Sequence, residues 1–370
     1  MTASGEFTLG IEEEFQIIDP DTGELRCVVS ELIESNTALD EVQLQRELHQ
    51  SMVEVATGIC ANIKEARRDV CRNRRAVARI AERVGMRIGA ASTHPFSRWQ
   101  EQTISDSDRY LDLVGEFQDV ARANLIFGMH VHVGIPDRDE AIAVFNSARY
   151  FLPHFLALST SSPFWGGRKT GLQSTRTLIF KRLPRTGIPG RFESYGAFER
   201  FVSTLVQCGC IDDGRRIWWD IRPHPTFATL EFRVCDLPTD IDHVIAIAAL
   251  IQAVVAKLTR LHRMNLSFNV HRTDLMNENK WRAARYGVGG DLIDLGEGCQ
   301  KSFAALTGEL LEFVDDVVDD LDSRAECQSV LEIVKNGTSA DRQLEIYESS
   351  GGSYKAVVDD IVERTCEGLE

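Results

Sequence analysis

The sequence predicts an α+β fold whose antiparallel sheet carries a polar working face. Two observations predict it. Several segments alternate between apolar and polar residues, the period of a strand with one buried face. Strand and helix patterns also interleave without the even spacing of a parallel barrel, and no GxGxxG or GxxxxGK[ST] phosphate loop is present. The 370 residues, 43% apolar and 26% charged, can bury one large core or two modest ones. One catalytic domain over residues 1–370 is expected, helical from about residue 300.

The elements follow in order. "MTASGEFTLG" has neither a basic end nor an apolar core, so no signal peptide is expected. "GIEEEFQIID" is a strand, with Ile11, Glu13 and Phe15 on one side and Glu12 and Glu14 on the other. "DPDTGE" is a turn. In "SMVEVAT", Val53 and Val55 go inward and Glu54 comes out. Asn62 to Val84 is an amphipathic helix stopped by Gly85, with Ile63, Ala66, Val70, Val77, Ile80 and Val84 on its apolar face. Lys64, Arg67, Arg68, Arg72, Arg74, Arg75, Arg79 and Arg83 are assigned to the other face, read as solvated in a chain of net charge −15. That charge also argues against a nucleic-acid partner.

"RIGAASTHP" is a strand and turn. "LIFGMHVHVGI" is a strand burying Met129, Val131 and Val133 and leaving His130 and His132 together. Gly166–Gly190 is a long loop rich in Gly, Pro and Arg. "CGC" at 208–210 is read as small core cysteines rather than a metal site. "TLEFRVCD" buries Leu230, Phe232 and Val234 and leaves Glu231 and Arg233 together. "VIAIAALIQAVVA", Val244 to Ala256, is a buried helix capped by Asp240. Its 13 residues fall short of the roughly 20 that span a bilayer, so no membrane partner is expected. The tail holds amphipathic helices around "LLEFVDDVVDDL" and "AVVDDIVERT", their aspartates facing solvent. Nine cysteines without an export signal point to reduced thiols in a cytoplasm.

Glu12, Glu14, Glu54 and Glu231 could together supply oxygen ligands to Mg²⁺ or Mn²⁺, because empty they would repel one another. Arg222, Arg233, Arg168, Arg176 and Arg182 could meet anions as bidentate forks, a structural ion pair being the alternative for each. Magnesium carboxylates beside phosphate-binding arginines are the parts for moving a phosphoryl group.

These residues carry a resemblance. "LGIEEEFQIIDPDTGEL", "ELHQSMVEVATGIC", "HVHVGIPD", "SSPFWGGRKTGLQSTR", "WWDIRPHPTFATLEFRVCD" and "ENKWRAARYG" resemble, in order, the carboxylate–amine ligase family related to type 2 glutamate–cysteine ligase. "GMHVHV" and the segment around Glu231 are more distantly similar to glutamine synthetase. The resemblance implies a glutamine synthetase-like domain, a curved antiparallel sheet with helices on its convex face. It implies ATP, Mg²⁺ and an amino-acid carboxylate. It implies metal-binding roles for Glu12, Glu14, Glu54 and Glu231, a metal or nucleotide contact for His130, and phosphate and carboxylate binding by Arg222 and Arg233. His132 is expected at the nucleotide. Arg282 and Arg285, with Trp281, either form a second flap or belong to a helix packed by Trp281. His49 stands where the family pattern has an apolar residue, and Gly58 where it has a proline.

The expected reaction is ligation through an acyl phosphate, with glutamate and cysteine as the implied acid and amine. A guanidino kinase of the same superfamily and a non-catalytic ATP or amino-acid binder are the rivals. A homodimer is left open.

Overall fold

In the computed structural model, residues 6–37 and 42–369 are described. The opening residues 1–5 of the segment discussed above lie outside them. Seven strands form an antiparallel sheet: β1 (Leu9–Ile18), β2 (Leu44–Arg46), β3 (Met52–Ala56), β4 (Arg87–Gly89), β5 (Met129–Gly134), β6 (Ile221–Pro223) and β7 (Thr229–Phe232). Their order is β2-β3-β1-β5-β7-β6, with β4 paired to the end of β1 on the same edge as β5.

The inward side chains of β1, β3, β5 and β7 are fully buried, Ile11, Phe15, Val53, Val131 and Phe232 among them. Helices α1 (Ile63–Arg83) and α2 (Ile241–Arg263) cover this face. Asn62 caps α1 by accepting from the Glu65 amide. Asp240 caps α2 by accepting from the Asp242 amide, as the sequence predicts. α2 has the length and apolarity of a membrane span, but 83% of its apolar window is buried inside the fold, as a core helix would be. Helix α3 (Thr273–Tyr286) and the tail helices, including Phe303–Val318 and Tyr354–Thr365, complete the molecule. Most of the tail aspartates are exposed, Asp319 pairing with Arg324 and Asp316 with Lys257 and Arg260, but Asp360 is half-buried in an ion pair with Arg342.

Three expectations need correction. Arg74 is not on the solvated face of α1. It is fully buried and forks onto Glu13, Nη2 to Oε1 at 2.6 Å and Nε to Oε1 at 3.0 Å. It therefore neutralises the one glutamate of the opening triplet that faces the core. Its remaining donors reach the carbonyls of Pro238 and Thr239. Cys208 and Cys210 are exposed, at the end of the helix Tyr195–Gln207, and are not core residues. The loop Gly166–Gly190 also contains a short helix, Arg176–Phe180.

Candidate active site

Cross-strand register builds the site. In β1, Glu14 lies opposite Glu54 of β3, and Glu12 opposite His130 of β5. His132 lies opposite Glu231 of β7, which in turn lies opposite Arg222 of β6. Partners directly across an antiparallel pair share a face, so all seven side chains stand on the side of the sheet away from α1 and α2. They line a cavity of about 600 Å³, together with Glu47, Tyr110, Arg109, Arg176, Arg233 and others, except that His132 sits just behind its wall.

Two donor triads emerge, Glu12–His130–Glu231 and Glu14–Glu54–His130, each with ligand atoms within 4.8 Å of one another. They share His130. His130 Nδ1 is 2.9 Å and His132 Nε2 is 3.1 Å from the Glu12 carboxylate. Glu14 accepts from the Gly128 amide at 2.5 Å. Arg222 forks onto Glu231, at 2.6 and 3.2 Å, and Arg233 adds a further ion pair. The other donors of Arg222 go to the carbonyls of Arg215 and Ile217, so its guanidinium is directed at Glu231.

The electrostatics divide these carboxylates. Burial opposes charge on Glu12, but the hydrogen bonds with His130 and His132 outweigh it and hold Glu12 well below the usual range. Burial also opposes charge on Glu231, and Arg233 and Arg222 overcome it to hold that carboxyl far down. At Glu14 the charges of Arg176 and Arg233 and the Gly128 amide do not overcome burial. Burial, then the charge of Glu47, pushes it up to about 8. Burial and the charges of Glu47, Glu12 and Glu14 push Glu54 well above its ordinary value. Burial, followed by Arg233, lowers His130 to about 4, which leaves a neutral imidazole at pH 7. Crowded carboxylates around a neutral imidazole fit a hard divalent cation of the Mg²⁺ or Mn²⁺ class, whose charge would let Glu14 and Glu54 ionise.

Glu47 is the site residue that sequence reasoning missed. It follows β2 outside any strand, so no alternation marks it. Burial raises its carboxyl, and it shares a hydrogen bond with Glu54.

The other candidates divide. Arg176 is buried on the cavity wall, packed so closely over Gly128 that a Cβ there would lie 2.3 Å from its Nη2. Any side chain at 128 would displace it. Arg182 lies nearby, its guanidinium on the carbonyls of Ile179 and Ala123. Arg168 is exposed in a turn with Trp165. Arg282 pairs with Glu278, and Arg285 lies over Tyr286. None of these four lines the cavity described above. Trp281 is 45% exposed, so it does not pack α3. The family departures are accommodated. His49 is buried with Nε2 2.9 Å from the Arg122 carbonyl, and the Gly58 amide donates to Asp69, a bond a proline could not make.

Comparison with known proteins agrees with this architecture. The family model "Glutamate-cysteine ligase family 2(GCS2)" matches residues 8–360. A relative from Sorangium cellulosum, named "Putative glutamate--cysteine ligase 2", is 54% identical over 99% of this chain and 98% of its own length. One of the same name from Herpetosiphon aurantiacus is 52% identical over 98% and 94%. Among solved structures, the glutamate–cysteine ligase from Francisella tularensis in complex with AMP superposes with a TM-score of 0.68, covering 98% of this chain and 89% of that one at 14% identity. The ligase PafA, solved in complex with the ubiquitin-like protein Pup, reaches 0.54, covering 97% and 73% at 10% identity. These two likenesses establish the fold, and the family match with the close relatives settles membership: the chain belongs to glutamate–cysteine ligase family 2.

Proposed function

We propose that this chain is an ATP-dependent carboxylate–amine ligase, joining glutamate to cysteine as its relatives' names imply. The observation that carries the reading is the pair of donor triads sharing His130, with buried arginines on the same cavity wall. The AMP bound to the Francisella enzyme supports a nucleotide substrate. Mg²⁺ or Mn²⁺ held by Glu12, Glu231 and His130, and by Glu14, Glu54 and His130 with Glu47 beside them, would neutralise phosphate charge.

The chain's own residues then do the following. Arg176 Nε and Arg233 Nε are buried donors with no partner among the described residues. Leaving a buried N–H unmade is costly, and an anionic oxygen of ATP or of the acid would satisfy each. Held in line, the acid's carboxylate oxygen attacks the γ-phosphorus, the bond to the β-γ bridging oxygen breaks, and ADP leaves. The amine adds to the carbonyl of the resulting acyl phosphate, a proton is lost, and inorganic phosphate departs. The buried setting keeps water from the intermediate. We place the enzyme in the cytoplasm as one catalytic domain over residues 1–370. A guanidino kinase would release ADP without forming an amide, and a binding protein would turn over no ATP.

The test is phosphate release with Mg²⁺ or Mn²⁺ across paired acids and amines. Release that requires both glutamate and an amine, cysteine giving the highest rate, is expected. With hydroxylamine as the amine, the acid and ATP should give a hydroxamate. ATP turnover needing no acid, or no turnover with any pair, would refute the reading.

A further inference from the structure

We propose that Lys280 of α3 is a positioning residue, setting the placement of Arg222 and Arg233 through Asp220. It rests on the ligase reading for its kinetic consequence and on geometry alone for its structural one. Lys280 lies in "ENKWRAARYG", whose Arg282 and Arg285 point elsewhere. Its ammonium bridges both carboxylate oxygens of Asp220, at 2.9 and 2.7 Å. Both side chains are buried, 8% and 3% exposed.

Asp220 is a junction. It sits between the strand Trp218–Trp219 and β6, two residues before Arg222. Its amide donates to the Gly187 carbonyl at 3.0 Å, and its carbonyl accepts from the Arg233 amide at 2.8 Å. A lysine bridging both carboxylate oxygens fixes the carboxylate plane, and with it the backbone from which both arginines spring. The same helix also grips the segment that leads into another cavity arginine, Arg176. The Ala284 carbonyl accepts from the amides of Gln173 and Ser174, at 2.8 and 3.0 Å, just ahead of Arg176. α3 is thus a common bracket behind the three arginines.

The energetics favour this role over simple fold-holding. A buried ion pair contributes little net stability compared with an apolar pair of similar volume. Placement is different: an error of about 1 Å at reacting groups can cost on the order of a hundredfold in rate.

Three variants test it. Lys280→Met leaves Asp220 buried and unpaired, and is expected to be strongly destabilised. Lys280→Met/Asp220→Leu removes both charges and is expected to melt near the wild-type temperature. In that double variant, amide hydrogen exchange across residues 218–235 should quicken, because the Arg233 amide is no longer held to a clamped carbonyl. Hydroxamate formation from ATP, acid and hydroxylamine should lose at least about tenfold in kcat with the KM for ATP within about twofold. Lys280→Arg should recover part of that kcat. A folded double variant with unchanged exchange overturns the inference, and so does one with unchanged kcat. Failure of the double variant to fold also overturns it, since the pair would then serve the fold alone. If the wild type makes no hydroxamate while exchange still responds in the double variant, the ligase reading fails and the clamp stands.

Discussion

Glu54 and Glu231 face the same cavity, yet the protein treats their charges oppositely. Glu54 is buried and crowded by Glu47, Glu12 and Glu14, which together push its carboxyl well above the ordinary range and disfavour its charge in the metal-free protein. Glu54→Gln keeps the shape and removes a carboxyl whose charge the fold disfavours. The metal-free thermal midpoint should stay level or rise, while the rise in midpoint on adding Mn²⁺ shrinks and ligase turnover is lost. Glu231 is charged and grips the buried Arg222 and the partly buried Arg233. Glu231→Gln leaves them uncompensated, and breaking a buried pair in this way costs about 3–5 kcal/mol. Urea unfolding of both variants without metal checks the contrast. Equal losses of stability would show that the neighbours do not set the two charge states as described.

At the scale of elements, the sheet was legible and its reverse face less so. Period two is strict, and it placed Glu12, Glu14, Glu54, His130, His132 and Glu231 on one face before any register was known. The pairing that brings Glu14 opposite Glu54, and Glu231 opposite Arg222, depends on contacts between distant segments and could not be read locally. Glu47 was hidden because it belongs to no strand. Arg74 was readable and misread: it lies four residues after Val70 and three before Val77, on the apolar stripe of α1. Its charge suggested solvent, whereas its phase required a buried partner, and Glu13 had the matching unmet need. Arg74→Leu should therefore destabilise by about 3–5 kcal/mol by stranding Glu13. Adding Glu13→Leu should recover most of that loss. A double variant no more stable than the single one would mean that the pair is not what links β1 to α1.

For the molecule as a whole, stability against pH sums opposing terms. Glu14 and Glu54 have raised folded pKa values, so their contribution is present at acid pH and lost as pH rises. Three buried histidines act the other way. Burial lowers His94 to about 3, and His49 and His154 to about 4. His94 is neutral in the fold, with Nε2 donating to the Gly23 carbonyl at 2.9 Å and Nδ1 accepting from the Ser97 amide at 2.9 Å. The unfolded chain takes up this proton near 6.5 and the folded one only near 3. The contribution of His94 is thus complete above pH 6.5 and declines as pH falls towards 3, by about 1.4 kcal/mol per unit once well below 6.5. Because the carboxylates oppose it, the slope of the wild-type curve alone cannot isolate this group, but a difference can. His94→Asn keeps an acceptor for the Ser97 amide and removes the titration. The variant should be less stable than wild type at pH 7.5, having lost the bond to Gly23. That deficit should shrink steadily in urea titrations from pH 6.5 to 4.5. A deficit that stays constant over this range would show that His94 does not remain neutral in the fold.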